Sequence, residues 1–159
     1  MNETLEGNKH GKNTPRVLLV DDESDIRMII QKGLSNEGFQ VDVSGDPVEV
    51  AATYKAGMYD LVLLDIRMPQ MSGFDLYRKI LAVDKKVKVC FVTAFEIYYD
   101  EFRKVFPKLR VNCFVRKPVT ISHLAQIIRE ELARESVDRM EEAPQSSQKS
   151  VHKQIMERG

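Results

Sequence analysis

Polar side chains stand at the ends of four short apolar runs in this sequence. They are Asp21, Asp22, Asp65, Thr93 and Lys117, and each closes its run or follows it within two residues. If the runs are parallel strands, these side chains meet at one edge of the sheet, where folds of that kind bind their ligands. We therefore expect them to form a single site.

The three aspartates would repel one another at such a site, so a cation is needed. Two unit charges about 4 Å apart repel by about 4 kcal/mol at an effective dielectric constant of 20. Carboxylate oxygens suit Mg²⁺, which proteins usually hold through one or two carboxylates and phosphate oxygens. Lys117 would add a mobile positive charge and Thr93 a hydroxyl donor. Such a site is suited to transfer of a phosphoryl group to a carboxylate, and Asp65 is the best candidate nucleophile.

Alternating strands and helices would position these groups. Five apolar runs alternate with amphipathic stretches between residues 15 and 135, which predicts one α/β domain with a parallel sheet. The predicted strands are 17–20, 39–43, 61–64, 87–92 and 111–115, with the second at an edge and the third central. The predicted helices cover about 23–36, 46–57, from 73, 96–105 and from 121. In the first, Ile26, Ile29, Ile30 and Leu34 are expected to face the core.

The two ends of the chain differ in composition from this domain. Residues 1–14 and 136–159 are polar and lack a sustained apolar face. We expect a flexible N-terminal tail and a mostly disordered C-terminal tail, with at most a short helix near 151–156.

Composition also bounds the partners and the location. Lys and Arg total 24, as do Asp and Glu, so net charge gives no reason to expect nucleic acid or an anionic membrane as a partner. No apolar run approaches the roughly 20 residues needed to cross a bilayer, and the first residues lack the apolar core of a secretory signal. A cytoplasmic location is expected.

The two cysteines carry no sign of redox or metal chemistry. Cys90 and Cys113 lie within apolar segments, and their spacing fits neither a redox pair nor a zinc site. We predict that both are buried, reduced thiols that pack as small apolar groups.

Four segments in fixed order resemble the receiver domain of two-component response regulators: VLLVDDE, LVLLDIRMPQMSGFD, FVTAF and FVRKP. The spacing agrees, with 44 positions from Asp21 to Asp65, 28 from there to Thr93 and 24 to Lys117. The resemblance covers about residues 15–135. It implies a flavodoxin-like, doubly wound fold with five parallel strands in the order 2-1-3-4-5 and five helices.

The resemblance also implies roles for the site residues. Asp22, helped by Asp21, would hold Mg²⁺, with Mn²⁺ as a substitute, and Asp65 and the backbone carbonyl of Arg67 would complete the protein ligands. Asp65 would receive a phosphoryl group from a sensor histidine kinase or a phosphotransfer protein, and Lys117 would bind a phosphoryl oxygen.

Further residues would transmit or time the signal. The peptide bond before Pro118 is expected to be cis. Thr93 would move toward the phosphoryl group and Phe114 would rotate into the vacated space, which constitutes the switch. Arg67 and Phe95 occupy positions that differ among receivers. Both are bulky, and we predict that they hinder the attacking water and prolong the phosphorylated state.

An output surface is implied on the fourth helix, fifth strand and fifth helix. It would bind an output protein, not identifiable from the sequence, or form a homodimer. Aromatic residues recur at helical spacing in 95–106, and core packing explains most of them. An acidic partner or nucleic acid could bind the basic residues of this region, but a solvated face explains them more simply: Arg103, Lys104, Lys108, Arg110 and Arg116. With no output domain recognisable after residue 135, we expect a stand-alone signalling domain rather than an enzyme, limited to its own phosphorylation and dephosphorylation.

Simpler explanations and two competing functions stand beside this hypothesis. The paired aspartates could merely favour a helix N-terminus, Asp65 could be a turn residue, Lys117 could be solvated, and Thr93 and Phe114 could be ordinary strand residues. An aspartate-nucleophile phosphohydrolase would carry its nucleophile within VLLVDDESD, although Glu23 stands where its second aspartate belongs. A scaffold would bind partners regardless of phosphorylation.

Overall fold

Strands and helices alternate along the chain in the computed structural model, which describes residues 14–94, 103–104 and 113–134. The strands are β1 Arg16–Val20, β2 Gln40–Ser44, β3 Leu61–Leu64, β4 Lys88–Thr93 and β5 Phe114–Arg116. The helices are α1 Ser24–Asn36, α2 Pro47–Thr53, α3 Gly73–Val83 and α4 Ile121–Ala133. The predicted fifth helix corresponds to α4.

The five strands form one parallel sheet in the order β2-β1-β3-β4-β5, which confirms the predicted fold class and places β2 at an edge. Helices cover both faces. Side chains such as Leu18 and Leu64 pack in one cluster with residues of α2 and α3, whereas Leu19 and Leu63 pack in a second with residues of α1 and α4. Because strand residues alternate between faces, central strands buried on both sides must be almost continuously apolar.

Three helices begin with a side-chain cap. Asp46 accepts from the N–H of Glu49, Ser72 from Asp75 and Thr120 from His123, each at 3.1 Å. The cap predicted at Asp46 is confirmed, but α2 ends at Thr53 and not near residue 57. Tyr54 takes an extended conformation there, and its buried hydroxyl donates to Asp84 at 2.8 Å. This buried contact ends the helix early.

One predicted core position on α1 is wrong. Ile30 and Leu34 are buried and Ile26 packs partly against them, but Ile29 is 59% exposed. The side of α1 that faces the core is formed by residues four positions apart. Ile29 is rotated from Ile30 by one helical step of about 100°, which turns its side chain toward solvent. Gly33 lies on the inner side, because a Cβ there would come within 2.6 Å of Ile121. The packing of α1 against α4 therefore depends on a glycine.

The cysteines are buried as predicted, but the prediction that they are reduced thiols is wrong. Cys90 and Cys113 form a disulfide, with their Cα atoms 4.5 Å apart. The β4–β5 register pairs Phe91 with Phe114, so the two preceding cysteines face each other across adjacent strands. A separation of 23 residues in sequence gave no hint of this contact, because it arises from strand pairing.

Several predictions concern residues outside the described ranges. Only Arg103 and Lys104 of the predicted fourth helix are described, and both are helical. The two predicted tails, Phe95 and most of the aromatic segment also lie outside. Within the ranges described, no helix is both long enough and apolar enough to cross a membrane.

Candidate functional site

Three carboxylates meet at the carboxyl ends of β1 and β3. Asp21 and Asp22 directly follow β1, and Asp65 directly follows the neighbouring strand β3. One oxygen from each of the three lies within 4.8 Å of the other two. Asp21 and Asp65 are buried, whereas Asp22 is exposed to solvent. The structure thus brings together the three acids that the sequence analysis assigned to one site.

Every polar group of Asp21 has a partner. Its backbone N–H donates to the carbonyl of Ser44 at 3.1 Å, and its own carbonyl accepts from Nη1 of Arg27 at 2.7 Å. In the side chain, Oδ1 accepts from the N–H of Glu23 at 2.9 Å and Oδ2 from Nζ of Lys117 at 2.7 Å. These bonds compensate the burial of the carboxylate and fix its direction.

Lys117 brings a positive charge to the acids from the end of β5. Its Nζ lies 2.7 Å from Oδ2 of Asp21, 3.8 Å from Oε1 of Glu23 and 3.9 Å from Oδ2 of Asp65. Its backbone N–H donates to the carbonyl of Thr93 at 2.8 Å, which extends the pairing of β5 with β4. One ammonium group is therefore shared among several carboxylates.

Burial raises the pKa of Asp65 from its ordinary value of 3.8 to about 6. Lys117 lowers this pKa, the charge of Asp21 raises it, the N–H of Ile66 lowers it and Asp22 raises it to the least extent. The Ile66 N–H donates to Oδ1 of Asp65 at 2.9 Å. The other oxygen of this carboxylate, Oδ2, lies 3.9 Å from Nζ of Lys117.

The start of α3 lies directly against the backbone of Asp65. A Cβ at Gly73 would come within 2.2 Å of the Asp65 carbonyl oxygen, so only glycine permits this approach. The Gly73 N–H also donates to the carbonyl of Ile66 at 2.8 Å. The backbone that carries Asp65 is thus fixed from both β3 and α3.

The predicted switch residues lie on β4 and β5. Thr93 is buried at the end of β4, next to the backbone of Lys117. Phe114 is partly exposed, and its ring stacks on Phe91 with a centroid separation of 5.3 Å. The Lys117–Pro118 peptide bond is cis, as the sequence analysis expected.

Of the two positions predicted to slow hydrolysis, the structure describes one. Arg67 is exposed in the loop after β3, and Phe95 lies outside the described residues. The role of the Arg67 carbonyl as a metal ligand stays a prediction.

Two residues of this site were not predicted from the sequence. Glu23 reaches Lys117, and Arg27 binds the carbonyl of Asp21. Glu23 is the N-cap of α1, and Arg27 lies four positions later, where its backbone N–H donates to the Glu23 carbonyl at 3.1 Å. That spacing was visible in the sequence, but the direction of a long side chain was not.

The donor set fits a hard divalent cation. Three carboxylates supply only oxygen ligands, and the exposure of Asp22 leaves one side open to water and to phosphate oxygens. Among the described side chains, the carboxylates of Asp21, Asp22 and Asp65 form the group that could hold Mg²⁺.

The sequence is similar to a known family of domains and to curated proteins of about twice the length of the matched segment. A family model of the response regulator receiver domain matches residues 17–129. The transcriptional regulatory protein DltR of Streptococcus agalactiae is 32% identical over 114 residues, which are 72% of this chain and 50% of DltR. The transcriptional regulatory protein CusR of Escherichia coli is 29% identical over 75% of this chain and 52% of CusR. This chain spans about half the length of these curated relatives.

Solved structures with the same fold include receiver proteins. A CheY-like receiver domain protein from Methanospirillum hungatei is 26% identical, with a TM-score of 0.67 over 76% of this chain and 94% of that one. The response regulator TrrA of Thermotoga maritima, solved in complex with Mg²⁺ and BeF, is 29% identical, with a TM-score of 0.64 over 74% and 98%.

Receiver domains are signalling domains that bind Mg²⁺ at an acidic pocket. The acid cluster beyond β1 and β3, the lysine beyond β5 and the family match over most of the chain agree with one another. We conclude that this chain belongs to the response regulator receiver domain family.

Proposed function

We propose that Asp65 accepts a phosphoryl group from a sensor histidine kinase or a phosphotransfer protein. The observation that carries the proposal is the position of its carboxylate, within 4.8 Å of those of Asp21 and Asp22 and 3.9 Å from Nζ of Lys117. A carboxylate with this surrounding can approach a phosphoryl group while opposite charges neutralise the equatorial oxygens.

In the proposed reaction, Oδ2 of Asp65 attacks the phosphorus of a phosphohistidine. An O–P bond forms, the N–P bond breaks and the imidazole nitrogen leaves with the electron pair of that bond. Lys117 would exchange its contact with Asp21 for one to a phosphoryl oxygen. The Ile66 N–H would keep Oδ1 oriented throughout.

Mg²⁺ would neutralise charge on the transferring phosphoryl oxygens when held by Asp21, Asp22, Asp65 and the Arg67 carbonyl. The open side of the site at Asp22 supports access for both the metal and the phosphoryl donor.

The phosphorylated state would be read through Thr93 and Phe114. Thr93 would donate its hydroxyl to the phosphoryl group, and Phe114 would leave its present stacking on Phe91. We propose that this movement changes the surface around β5 and α4, where a protein partner or a second copy of the chain would bind. Arg67 and Phe95 would slow the loss of phosphate by hindering water.

The phosphohydrolase alternative is less well supported. Its nucleophile would lie in the motif after β1, where both oxygens of Asp21 are already bound, one by an N–H and one by Lys117. Asp65 has one oxygen free of a backbone donor and stands 3.9 Å from the ammonium group.

The test is phosphorylation of the purified chain by a small-molecule donor such as phosphoramidate, with Mg²⁺, followed by mass spectrometry. We expect one added phosphoryl group that disappears with a chelator or with Asp65→Asn. Asp60→Asn is the matched control, because Asp60 directly precedes β3 and lies at the opposite end of the same strand.

Reductive trapping with borohydride would locate the aspartyl phosphate. Label on Asp21 or Asp22 would favour the hydrolase, and absence of any label in a chain that binds Mg²⁺ would overturn the proposal. Partner binding that is the same with and without beryllofluoride, a phosphoryl mimic, would favour the scaffold.

A further inference from the structure

Arg27 makes an unusual bridge next to the acid cluster. It lies in the first turn of α1, is partly buried and donates from Nη1 to the carbonyl oxygen of Asp21 at 2.7 Å. That carbonyl belongs to the peptide group that joins Asp21 to Asp22. A hydrogen bond to it therefore fixes the orientation of the peptide from which the side chain of Asp22 departs.

The guanidinium group of Arg27 is held on its other side by Gly45, in the loop after β2. A Cβ on Gly45 would come within 2.4 Å of Nη1 and 2.8 Å of Cζ. Gly45 does not have the positive φ that would itself demand glycine, in contrast to Gly38 and Gly57. Its missing side chain leaves the space that the guanidinium group occupies.

The two acids differ in how their carboxylates are restrained. Both oxygens of Asp21 are bound, and its N–H is tied to β2 through Ser44. Asp22 is exposed, and its direction depends on the peptide group that precedes it. Arg27 is the charged side chain that holds this peptide group.

From these contacts we infer that Arg27, seated against Gly45, is a positioning residue that aims the Asp21–Asp22 pair for binding Mg²⁺. The inference rests on the proposed function, since it assigns a role toward the metal of that site. Arg27 does not itself touch the metal. It acts through the Asp21 carbonyl, as outer residues around a metal commonly orient its ligands.

Charge and geometry have opposite effects here, which makes the inference testable. Removing a positive charge from near the acids would by itself strengthen binding of a cation. Losing the orientation of Asp22 would weaken it, and removal of an outer positioning contact typically costs 10–100-fold in metal affinity. A weaker affinity after loss of Arg27 therefore reports geometry.

The experiment measures the Kd for Mg²⁺ of the full chain by calorimetry, for wild type, Arg27→Met, Gly45→Ala and the double variant. We expect Arg27→Met to raise Kd about tenfold. Gly45→Ala keeps every charge but displaces the guanidinium group, and should raise Kd in the same direction. In the double variant Gly45→Ala should add less than about twofold, because its target is already absent.

Arg129→Met is the matched control. Arg129 also donates to a backbone carbonyl, that of Glu37 at 2.8 Å, but from α4 and not to a residue of the acid cluster. The Kd of the Arg129→Met variant for Mg²⁺ should equal that of wild type. A second readout is phosphorylation rate against Mg²⁺ concentration, where Arg27→Met should shift the half-saturating concentration and leave the saturating rate within about twofold.

The outcomes separate this inference from the proposed function. A wild-type chain that does not bind Mg²⁺ overturns both. A wild-type chain that binds Mg²⁺ while both single variants keep its Kd overturns the inference alone, as does a double variant whose effect is the product of the two single effects. If Arg27→Met does not fold, Gly45→Ala decides the matter by itself.

Discussion

Asp65 combines burial with the proximity of two carboxylates and one ammonium group. Burial is the largest influence on its pKa and disfavours the ionised form, and the neighbouring acids add to that effect. Lys117 and the Ile66 N–H favour ionisation but do not restore the ordinary value. In a chain without bound metal, the ionised form of Asp65 therefore lowers the free energy of unfolding. Reactive sites commonly place ionisable groups in environments that perturb their pKa in this way.

This cost predicts a pH-dependent effect of Asp65→Asn on stability. The pKa of about 6 in the folded protein lies above the ordinary 3.8, so the cost is fully present above pH 6 and is lost as pH falls toward 4. At about 1.4 kcal/mol per unit of pKa, the shift corresponds to about 3 kcal/mol. We expect Asp65→Asn to stabilise the metal-free chain by about 2–3 kcal/mol at pH 8 and by less than about 1 kcal/mol at pH 4, measured by urea unfolding.

The control is Asp22→Asn, which removes the same charge from an exposed position in the same cluster. The increase in the free energy of unfolding should be smaller for Asp22→Asn than for Asp65→Asn, and it should depend less on pH. An effect of Asp65→Asn that is equal at pH 4 and pH 8 would contradict the assignment of the cost to its ionised form.

Strands and helices were predictable because their signals are local. The core of four strands was predicted to within one or two residues, and Asp46, Pro47 and Gly73 mark helix starts. The grouping of polar residues at the strand ends was predictable because parallel sheets bind their ligands beyond the carboxyl ends of the strands. Contacts that depend on strand register or on the direction of long side chains were missed, including Cys90 with Cys113 and Arg27 with Asp21. Pairing between distant residues is not written in local sequence patterns.

Another missed contact joins β4 to the end of α4. Lys88, the first residue of β4, is buried, and its Nζ donates to the carbonyl of Glu131 at 2.7 Å and also to those of Leu132 and Arg134. The last turn of α4 has no basic residue of its own. Lys88 therefore supplies the positive charge that stabilises a helix C-terminus.

We predict that Lys88→Met lowers the free energy of unfolding by about 2 kcal/mol, because hydrogen bonds from a charged group contribute about 1.5–3 kcal/mol. Urea unfolding would measure the loss, and hydrogen exchange should show faster opening of residues 129–133. Lys86→Met, at an exposed lysine two positions earlier, should change stability by less than about 0.5 kcal/mol. Equal stabilities for the two variants would show that the buried ammonium is not needed.

At the scale of the whole molecule, β4 connects several features that are distant in sequence. Its first residue, Lys88, binds the end of α4, Cys90 forms the disulfide, and the carbonyl of its last residue, Thr93, accepts from the backbone N–H of Lys117. The covalent bond to Cys113 closes a chain segment that contains the predicted fourth helix.

The disulfide predicts a difference between the oxidised and reduced chain. For a loop closed by cysteines 23 positions apart, the chain-entropy model gives about 3 kcal/mol of stabilisation. We expect reduction to lower the free energy of unfolding by about this amount. The Cys90→Ala, Cys113→Ala double variant should be insensitive to reductant, which controls for other effects of the reagent.

Alkylation of the unfolded, unreduced chain gives an independent check. The bonded cysteines should resist the reagent, and mass spectrometry should find them modified only after reduction. Modification of both without reduction would contradict the bond. Because disulfides rarely persist in reducing compartments, the same assay on protein taken directly from cells would show which form is present there.

The close approach of Gly73 to Asp65 has a consequence for the loop between them. The N–H of Gly73 binds the carbonyl of Ile66, so the segment from 66 to 73 leaves and rejoins the domain at nearly the same point. Gln70, with φ of 73°, lies near the middle of this closed ring. Met68 and Met71 pack against the core on either side of Gln70, and the Met71 N–H donates to the carbonyl of Pro69 at 2.8 Å. A residue inserted near Gln70 would break this turn, so we expect the length of the loop to be constrained at its tip as well as at its base.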